Sequence, residues 1–292
     1  MLALLAQEGS LTHSTRLRLF GSVARPVQVA DRVFAIEPLS NAAPLVGSAW
    51  LVLHFAFLGK ERTSDLGHAA FLAGNDKILS DTLRIALGAC DLRFVFTSSG
   101  AAHTPDRESN LYGWCKAAHE TRIADWCGEH AVPLLMPRIF NIGGPFANKL
   151  ESYALSSMIL SALHTGRITI RAQRPTFRSY VHVNELLTTL CDAALAQKAG
   201  APKIFDTVGQ DIIEMAGLAA AVAASSVSRD VRVNRVPMIG TAPDRYVGDA
   251  VAWRLLLATQ DRTPVPLDII VADTIADLRK RATGIGEELM RA

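Results

Sequence analysis

Two short runs of the chain are almost continuously apolar, and they constrain the fold more than any other feature. They are Trp50-Leu51-Val52-Leu53 and Phe94-Val95-Phe96. Runs of this kind are typical of strands buried on both faces, as in a parallel sheet that helices cover. Parallel strands need a long crossover connection, and a helical pattern lies between these two runs. The sequence therefore predicts an α/β fold with a Rossmann-type, doubly wound parallel sheet.

The same alternation of strand-like and helix-like patterns continues along the chain. We predict strands at 16–20, 32–36, 49–56, 92–98, 132–140, 168–170, 179–183 and 231–236. We predict helices at 64–88, 110–130, 184–199, 212–224, 247–258 and 267–282. The pattern loosens after residue 145. We therefore expect a dinucleotide-binding domain over 1–150 and a smaller mixed substrate-binding region over 151–292, interleaved with the first.

The beginning of the sequence lacks the glycine-rich turn with which a dinucleotide-binding domain holds a pyrophosphate. No GxGxxG or GxxGxxG precedes the predicted strand at 16–20, and residues 1–8 resemble the end of the helix that follows such a turn. The expected domain is thus N-terminally incomplete and lacks its first strand and phosphate loop. Loss of that central strand would cost about 1–3 kcal/mol for each unpaired buried hydrogen-bonding group. We therefore expect the natural reading frame to begin upstream.

Composition excludes several classes of protein. The 292 residues are 49% hydrophobic and 20% charged, which excludes intrinsic disorder, and the net charge of +2 gives no sign of a nucleic-acid or membrane-surface partner. The four cysteines form no CxxC pair, and the eight histidines form no metal-binding arrangement. No signal peptide or uninterrupted membrane span is evident. We expect a cytoplasmic protein without a metal site.

Tyr112 and Lys116 are the strongest local signal of chemistry. They lie one turn apart on the same face of a predicted helix. A lysine ammonium in this position favours the phenolate and lowers the pKa of the tyrosine, which makes it a general base or acid. Taken alone, the pair is equally well explained as an exposed tyrosine and a solvated lysine.

A second signal is the apolar strand that ends in Thr97-Ser98-Ser99-Gly100. Catalytic groups of open α/β sheets gather at the carboxyl ends of the strands, where a serine can bind a substrate hydroxyl. Alone, the serines are better explained as the end of the strand and the cap of a turn. The order of the two signals along the chain is what makes them informative together.

These segments, with two that follow, resemble one family. The ordered motifs are the strand ending in Ser99, the Tyr112/Lys116 pair, PRIFNIGGP at 137–145 and RSYVHV at 178–183. The chain is similar from about residue 16 to about residue 280 to the extended short-chain dehydrogenases/reductases, the NAD(P)-dependent epimerases and dehydratases that act mainly on nucleotide sugars. LHFA at 53–56 and Asn75 also match motifs of this family.

The resemblance implies a role for each matching position. Ser99, Tyr112 and Lys116 align with the catalytic triad. The implied NAD- or NADP-binding residues are Gly21, Ser22, Arg25, His54, Ala56, Asn75, Thr97, Tyr112, Lys116, Arg138 and Phe140. The implied substrate-binding residues are Ser99, Asn141, Arg178 and Arg245, the last three being suited to a diphosphate. In the family, two long helices commonly pair into a four-helix bundle, so a homodimer through 64–88 and 110–130 is implied.

Departures from the family pattern reduce the number of reactions that we expect this chain to catalyse. Gly100-Ala101 stands where dehydratases of the family carry an acidic pair, which argues against dehydration. Gly21-Ser22 with Arg25 stands where an acidic residue would bind a ribose 2′-hydroxyl, so NADP is as well supported as NAD. An epimerase and a ketoreductase both remain open. The alternative is a non-catalytic binding or regulatory relative that has lost the phosphate loop.

Overall fold

The computed structural model describes residues 17–29, 32–47, 49–148, 150–197, 203–225 and 230–291, with side chains described up to residue 281. The chain divides into two compact units. Unit 1 comprises residues 1–138 and 190–205, and unit 2 comprises residues 139–189 and 206–292. Each unit contains its own hydrophobic cluster.

Strands and helices alternate along most of the described chain. The strands are β1 Leu19–Gly21, β2 Arg25–Val29, β3 Arg32–Pro38, β4 Trp50–His54, β5 Leu92–Phe96, β6 Ser98–Ser99, β7 Leu134–Ile139, β8 Ile142–Gly143, β9 Arg167–Ile170, β10 Thr176–Arg178, β11 Val181–His182, β12 Lys203–Thr207, β13 Ile213–Glu214, β14 Arg232–Arg235 and β15 Asp244–Tyr246. The α-helices are α1 Arg62–Leu66, α2 His68–Ala86, α3 Leu111–Glu129, α4 Ala154–Thr165, α5 Val183–Ala196, α6 Met215–Ser225, α7 Val251–Ala258 and α8 Leu267–Arg291.

The main sheet of unit 1 has the strand order β12-β7-β5-β4, and β6 also pairs with β7. Strand β5 runs parallel to both β4 and β7, and His54 at the end of β4 lies opposite Phe96 at the end of β5. Side chains of α2, α3, β5 and β7 fill one cluster that includes Leu79, Ile123 and Phe94, all fully buried. The predicted α/β, Rossmann-type fold is confirmed, and the two apolar runs are neighbouring parallel strands.

The strand predicted at 16–20 is displaced and does not join this sheet. Strand β1 begins at Leu19 among the described residues and pairs in parallel with β3, which also forms an antiparallel hairpin with β2. These three strands form a sheet of their own in the order β1-β3-β2. The Arg18 guanidinium binds both oxygens of the Glu37 carboxylate, at 3.0 and 2.7 Å, and reinforces this pairing. The predicted helical segment 1–8 lies outside the described residues.

In the described part of unit 2, small sheets and the helices α4, α6 and α8 surround a separate core. Its sheets have the orders β13-β10-β15, β11-β8 and β14-β9. Residues from α4, α6, α8 and β9 form the core, with Ile159, Leu218 and Val271 fully buried. Strand β10 runs parallel to β15 and antiparallel to β13.

Two helical segments differ from the sequence-based expectation. The segment predicted as one helix over 64–88 is two helices, because Gly67 has a φ of +76° and a backbone conformation that ends α1. Helix α4 was missed altogether. Of the helices in the described residues, none is both long and apolar enough to cross a lipid bilayer.

Candidate functional site

Two hydrogen bonds join the carboxyl ends of β4 and β5. The Thr97 hydroxyl donates to the His54 carbonyl at 2.9 Å, and the Thr97 amide donates to the same oxygen at 3.2 Å. Residues 97–99 are all buried. The chain therefore leaves β5 along a fixed path that brings Ser99 to the edge of the sheet where parallel strands commonly carry functional groups.

Ser99 lies at the start of a short 3-10 helix, Gly100–His103. Its Oγ accepts a hydrogen bond from the Ala101 amide at 3.3 Å, so the serine caps this turn. Asn110 caps the following helix α3, where its Oδ1 accepts from the Gly113 amide at 3.1 Å. The other end of the Asn110 side chain donates to the carbonyls of Ala101 and Thr104 at 2.9 and 2.8 Å. One asparagine thus binds the serine turn to the first turn of the helix that carries Tyr112.

Gly113 allows this close approach between helix and turn. A Cβ atom at this position would lie 2.2 Å from the Ala101 carbonyl oxygen, which is far inside contact distance. A glycine inside a helix lowers stability by about 1 kcal/mol relative to alanine. Here that loss is explained by packing, because no larger residue leaves room for the Ala101 carbonyl.

Lys116 is buried one turn further along α3. Only 5% of the residue is exposed, and its Nζ donates to the Thr97 carbonyl at 2.9 Å. The same nitrogen lies 3.8 Å from the centre of the Phe57 ring, whose edge-on contact with the Tyr112 ring spans 5.5 Å between centroids. Burial lowers the pKa of the Lys116 ammonium to about 7. Phe57 therefore contacts both members of the predicted tyrosine–lysine pair.

Glu120 lies one turn beyond Lys116 and is the centre of a buried polar network. Its carboxylate accepts from the Ser98 hydroxyl at 2.5 Å and from Nε and Nη2 of Arg138 at 2.8 and 2.6 Å. The Glu120 side chain is 6% exposed and that of Arg138 is 22% exposed. Helix α3 is thereby bonded to β6 and to the end of β7.

Helices α2 and α3, which were expected to form a dimer interface, bond to each other within the chain. His119 Nε2 lies 2.9 Å from Asp76 Oδ1, and His119 is 2% exposed. Burial raises the pKa of the neighbouring Cys115 thiol to about 11, so this cysteine is poorly suited to act as a nucleophile. The expected homodimer stays a prediction.

The remaining predicted cofactor residues of unit 1 are in three settings. His54 is buried, stacks on Phe96 with 5.4 Å between ring centroids, and has a pKa lowered to about 3 by burial. Asn75 is fully buried and accepts a hydrogen bond from the Leu58 amide at 2.8 Å, which holds the loop after β4, where exposed Ala56 lies. Three others lie in the separate small sheet and its turn: Gly21, Ser22 and Arg25.

The predicted substrate residues other than Ser99 belong to unit 2. The Arg178 guanidinium binds Asp244 at 3.1 and 3.4 Å, and Arg245 stacks over the Phe177 ring at 4.9 Å. The parallel pairing of β10 with β15 sets Arg178 opposite Tyr246 and Arg245 opposite Phe177. The two arginines therefore lie on neighbouring strands with their side chains on opposite faces of the sheet.

Two further predicted residues of unit 2 lie next to β8. The Asn141 side chain donates to the Ser179 carbonyl at 3.0 Å, and this bond connects the end of β7 to the segment before β11. Phe140 packs against Tyr246 with 4.8 Å between ring centroids. Both side chains therefore support the strands that carry the arginines.

Four residues of the site were not singled out by the sequence: Phe57, Asn110, Gly113 and Glu120. Asn110 could have been found as an N-cap, because asparagine before a helical pattern is a standard start signal. Glu120 could have been suspected from its spacing, since it follows Lys116 by one helical turn.

Comparison with known proteins gives a consistent assignment. A family model described as the NAD dependent epimerase/dehydratase family matches residues 45–207. No curated protein matches the sequence.

Solved structures resemble this chain at low sequence identity. UDP-N-acetylglucosamine 4-epimerase from Methanobrevibacter ruminantium M1 has a TM-score of 0.65 at 15% identity, over 79% of this chain and 77% of that one. RMD from Pseudomonas aeruginosa, complexed with NADPH, has a TM-score of 0.63 at 18% identity, over 84% and 90%. TunA, an NAD dependent NDP-hexosamine 5,6-dehydratase, has a TM-score of 0.66 at 14% identity, over 94% and 91%.

These likenesses support the Rossmann-type fold, and the family model covers more than half of the residues, including β4, β5 and the helix that carries Tyr112 and Lys116. On this evidence the chain belongs to the NAD dependent epimerase/dehydratase family.

Proposed function

We propose that this protein is an NAD(P)-dependent epimerase or ketoreductase acting on a nucleotide-linked sugar. The proposal rests on one observation. Hydrogen bonds join the serine turn to the turn of α3 that carries Tyr112 and Lys116. Because the chain belongs to this family, we expect the cofactor, NAD or NADP, to bind beside these two turns. The structural neighbours named above include an enzyme of a UDP-sugar and an enzyme of an NDP-hexosamine.

The donor set of unit 1 suits the nicotinamide-riboside half of such a cofactor. Lys116 offers N–H donors beside Tyr112, at the carboxyl edge of parallel strands β4 and β5. A bound nicotinamide would accept a hydride from a carbon that is losing a hydroxyl proton, or donate one to a carbonyl carbon. The described residues contain no glycine-rich turn that would hold the pyrophosphate.

Tyr112 is the proposed general base and acid. As the phenolate it removes the proton from a substrate hydroxyl, and as the phenol it returns a proton to a carbonyl oxygen. Lys116 favours the phenolate when its amine is charged. Because the pKa of Lys116 is about 7, small changes of pH near neutrality alter the fraction of the amine that is charged. Ser99 donates or accepts a hydrogen bond at the same substrate oxygen and orients it.

Arg178 is the proposed ligand of the substrate diphosphate. A guanidinium group binds phosphate oxygens with two parallel hydrogen bonds. Arg245 is not given this role, because it lies on the other face of the sheet, over the Phe177 ring. Binding energy from this remote part of the substrate can position the sugar for reaction. The absence of an acidic pair at Gly100-Ala101 favours epimerisation or ketone reduction over dehydration.

The second candidate function is that of a non-catalytic binding or regulatory relative. It is favoured by the packing of Phe57 against both Tyr112 and Lys116, which fills space beside the lysine amine. Against it, a protein that only binds a partner has no need of a buried lysine whose pKa burial lowers to about 7.

A fluorescence titration with NADH and NADPH, followed by turnover assays on UDP-sugars, tests the proposal. The wild-type chain should bind at least one cofactor, and Tyr112→Phe should lower turnover by about 1,000-fold while leaving cofactor affinity nearly unchanged. Activity of Tyr112→Phe within about threefold of wild type would contradict the assigned role. Absence of binding by both cofactors would favour the non-catalytic relative.

A further inference from the structure

The ring of Phe57 covers the Lys116 amine, on which the proposed chemistry depends. The Lys116 Nζ lies 3.8 Å from the centre of that ring and 5.3 Å from the centre of the Phe96 ring, and the residue is 5% exposed. Among the described residues, the hydrogen bond that Nζ makes is the one to the Thr97 carbonyl at 2.9 Å. A lysine ammonium has three N–H donors. The Phe57 ring therefore fills space in which a ligand oxygen could otherwise bind this amine.

Aromatic contacts hold the Phe57 ring in this position. It meets the rings of Tyr112, His119 and Phe71 edge-on, with 5.5, 5.7 and 6.3 Å between ring centroids. Its attraction for the lysine is a cation–π contact, which is weaker than the hydrogen bonds that an ammonium forms with oxygen atoms. A ligand that offers oxygen acceptors can therefore displace the ring.

The backbone around Phe57 allows the ring to move. Strand β4 ends at His54, and residues 55–57 lie outside the helices and strands that the structure describes. Phe57 is half-buried and so borders solvent. The next residue is fixed, because the Leu58 amide donates to Oδ1 of the buried Asn75 at 2.8 Å. The ring can thus turn towards solvent while the loop stays anchored on either side of it.

We propose that Phe57 is a gate over Lys116. In its closed position, which the structure shows, the ring covers the amine. When a ligand with neighbouring hydroxyl groups binds, as on the ribose of NAD or NADP, the ring moves away and hydroxyl oxygens take its place at Nζ. The ligand named here rests on the proposed function, whereas the covering of the amine does not. A ring that never left the amine would instead suit the non-catalytic relative.

Opening the gate also prepares Tyr112 for proton transfer. With the ring in place, burial lowers the pKa of Lys116 to about 7, so near neutral pH much of the amine is uncharged. Hydroxyl oxygens that accept hydrogen bonds from the ammonium favour its charged form, and the charge in turn favours the Tyr112 phenolate. The tyrosine is therefore activated when a ligand has replaced the ring.

The first test needs no cofactor. Reductive methylation of the full chain, followed by peptide mass spectrometry, measures the reactivity of each lysine amine, and Lys77, 67% exposed, is the reference in the same chain. Lys116 should react at least about tenfold more slowly than Lys77 in the wild type and within about threefold of it in Phe57→Ala, because the reagent reaches the amine only when the gate is open. Phe55→Ala, which changes an exposed side chain of the same loop, should behave as the wild type does.

Two results of this labelling overturn the proposal. One is that Lys116 is as reactive as Lys77 in the wild type, because the ring then does not cover the amine. The other is that Lys116 stays equally protected in the wild type and in Phe57→Ala. Phe57→Leu, which keeps an apolar side chain without a ring, serves if Phe57→Ala does not fold.

The second test is fluorescence titration of the same variants with NADH and NADPH. When a ligand binds only the open form, the apparent dissociation constant is the intrinsic one divided by the open fraction, so Phe57→Ala should bind about tenfold more tightly than the wild type if the gate is open about a tenth of the time. A ring that is a fixed wall of the site would lose contacts with the ligand on truncation, so equal or weaker binding by Phe57→Ala overturns the gate. Faster labelling of Lys116 in Phe57→Ala, with neither cofactor bound by either chain, supports the gate and contradicts the proposed function.

Discussion

Each unit contains an arginine that binds a carboxylate through two nitrogens, and the two pairs differ mainly in burial. In unit 1, Arg138 binds Glu120, whose side chain is 6% exposed. In unit 2, Arg178 binds Asp244, whose side chain is 36% exposed. The arginines themselves are almost equally exposed, at 22% and 21%. The burial of the carboxylate therefore determines how much each pair contributes to the free energy of unfolding. It also determines which arginine can exchange its carboxylate partner for a ligand.

The first pair is built into the fold. Glu120 also accepts from Ser98, so its carboxylate has no position to which it can move without leaving buried groups unpaired. The second pair borders solvent, and a phosphate can compete for Arg178 at little cost. From this contrast we infer that Arg138, which the family resemblance places beside the cofactor, is a structural support, whereas Arg178 is free of that constraint and remains the proposed ligand of the substrate.

The largest expected effect is that of Glu120→Gln. The change keeps the shape and one acceptor for Ser98 but leaves the Arg138 guanidinium, which is 22% exposed, without its counter-charge. Losing the charge of the buried partner in this hydrogen-bonded pair should cost about 2–3 kcal/mol, and urea denaturation should show this loss in the free energy of unfolding.

A double variant sharpens this prediction. In Glu120→Leu/Arg138→Met both charges are absent, so the loss should be smaller than that of Glu120→Gln alone. A loss below about 1 kcal/mol for Glu120→Gln would mean that the buried pair behaves like an exposed one, and the comparison between the units would fail.

The next effect concerns pH. Burial lowers the pKa of Lys116 to about 7 from 10.5, so between these values the unfolded chain binds a proton that the folded chain does not. The stability of the wild type should therefore rise with pH in this window, by about 2 kcal/mol between pH 7 and pH 9 relative to Lys116→Met. Denaturant midpoints measured across this range for both proteins check the sign.

Lys77→Met is the matched control for this experiment. The Lys77 side chain is 67% exposed and forms a surface ion pair with Asp81. Its removal should leave the pH dependence of stability close to that of the wild type. Parallel pH profiles for wild type and Lys116→Met would show that the lysine is not desolvated in solution.

Much of unit 1 could be predicted from the sequence, because its signals are local. The apolar runs at Trp50–His54 and Leu92–Phe96 and the four-residue spacing of Tyr112 and Lys116 do not depend on distant partners. The Glu120–Arg138 pair could not be predicted in this way, since the two residues are 18 positions apart and on different elements. A glutamate on a helix is usually solvated, and only the packing of α3 against β7 shows that this one is buried.

Unit 2 was harder to predict for a different reason. Strands β8, β10, β11, β13 and β15 have only two or three residues each, too few for an alternating pattern to be visible. Helix α4 begins at Ala154 after Tyr153, which forms no side-chain cap, so the usual start signal is missing. The positions of Arg178 and Arg245 on adjacent strands follow from this pairing and from no local pattern.

A smaller effect is expected at the turn that joins Ser99 to α3. Asn110→Ala removes the cap of the helix and both bonds to the serine turn, and should cost about 1–2 kcal/mol in unfolding experiments. Asn110→Asp keeps the capping oxygen but loses the two N–H donors, so it should recover part of this loss. Equal losses in the two variants would show that the cap contributes nothing measurable.

The smallest effect on stability is expected for Asp244→Asn, the counterpart of Glu120→Gln in unit 2. Because this carboxylate borders solvent, its neutralisation should change the free energy of unfolding by less than about 1 kcal/mol. Under the proposed function, it should strengthen the binding of a UDP-sugar several-fold, since Arg178 no longer shares its charge with a neighbouring carboxylate. Calorimetric titration measures the affinity, and raising the salt concentration should reduce the gain. A large loss of stability together with unchanged affinity would reverse the roles of the two arginines, because Arg178 would then be the structural one.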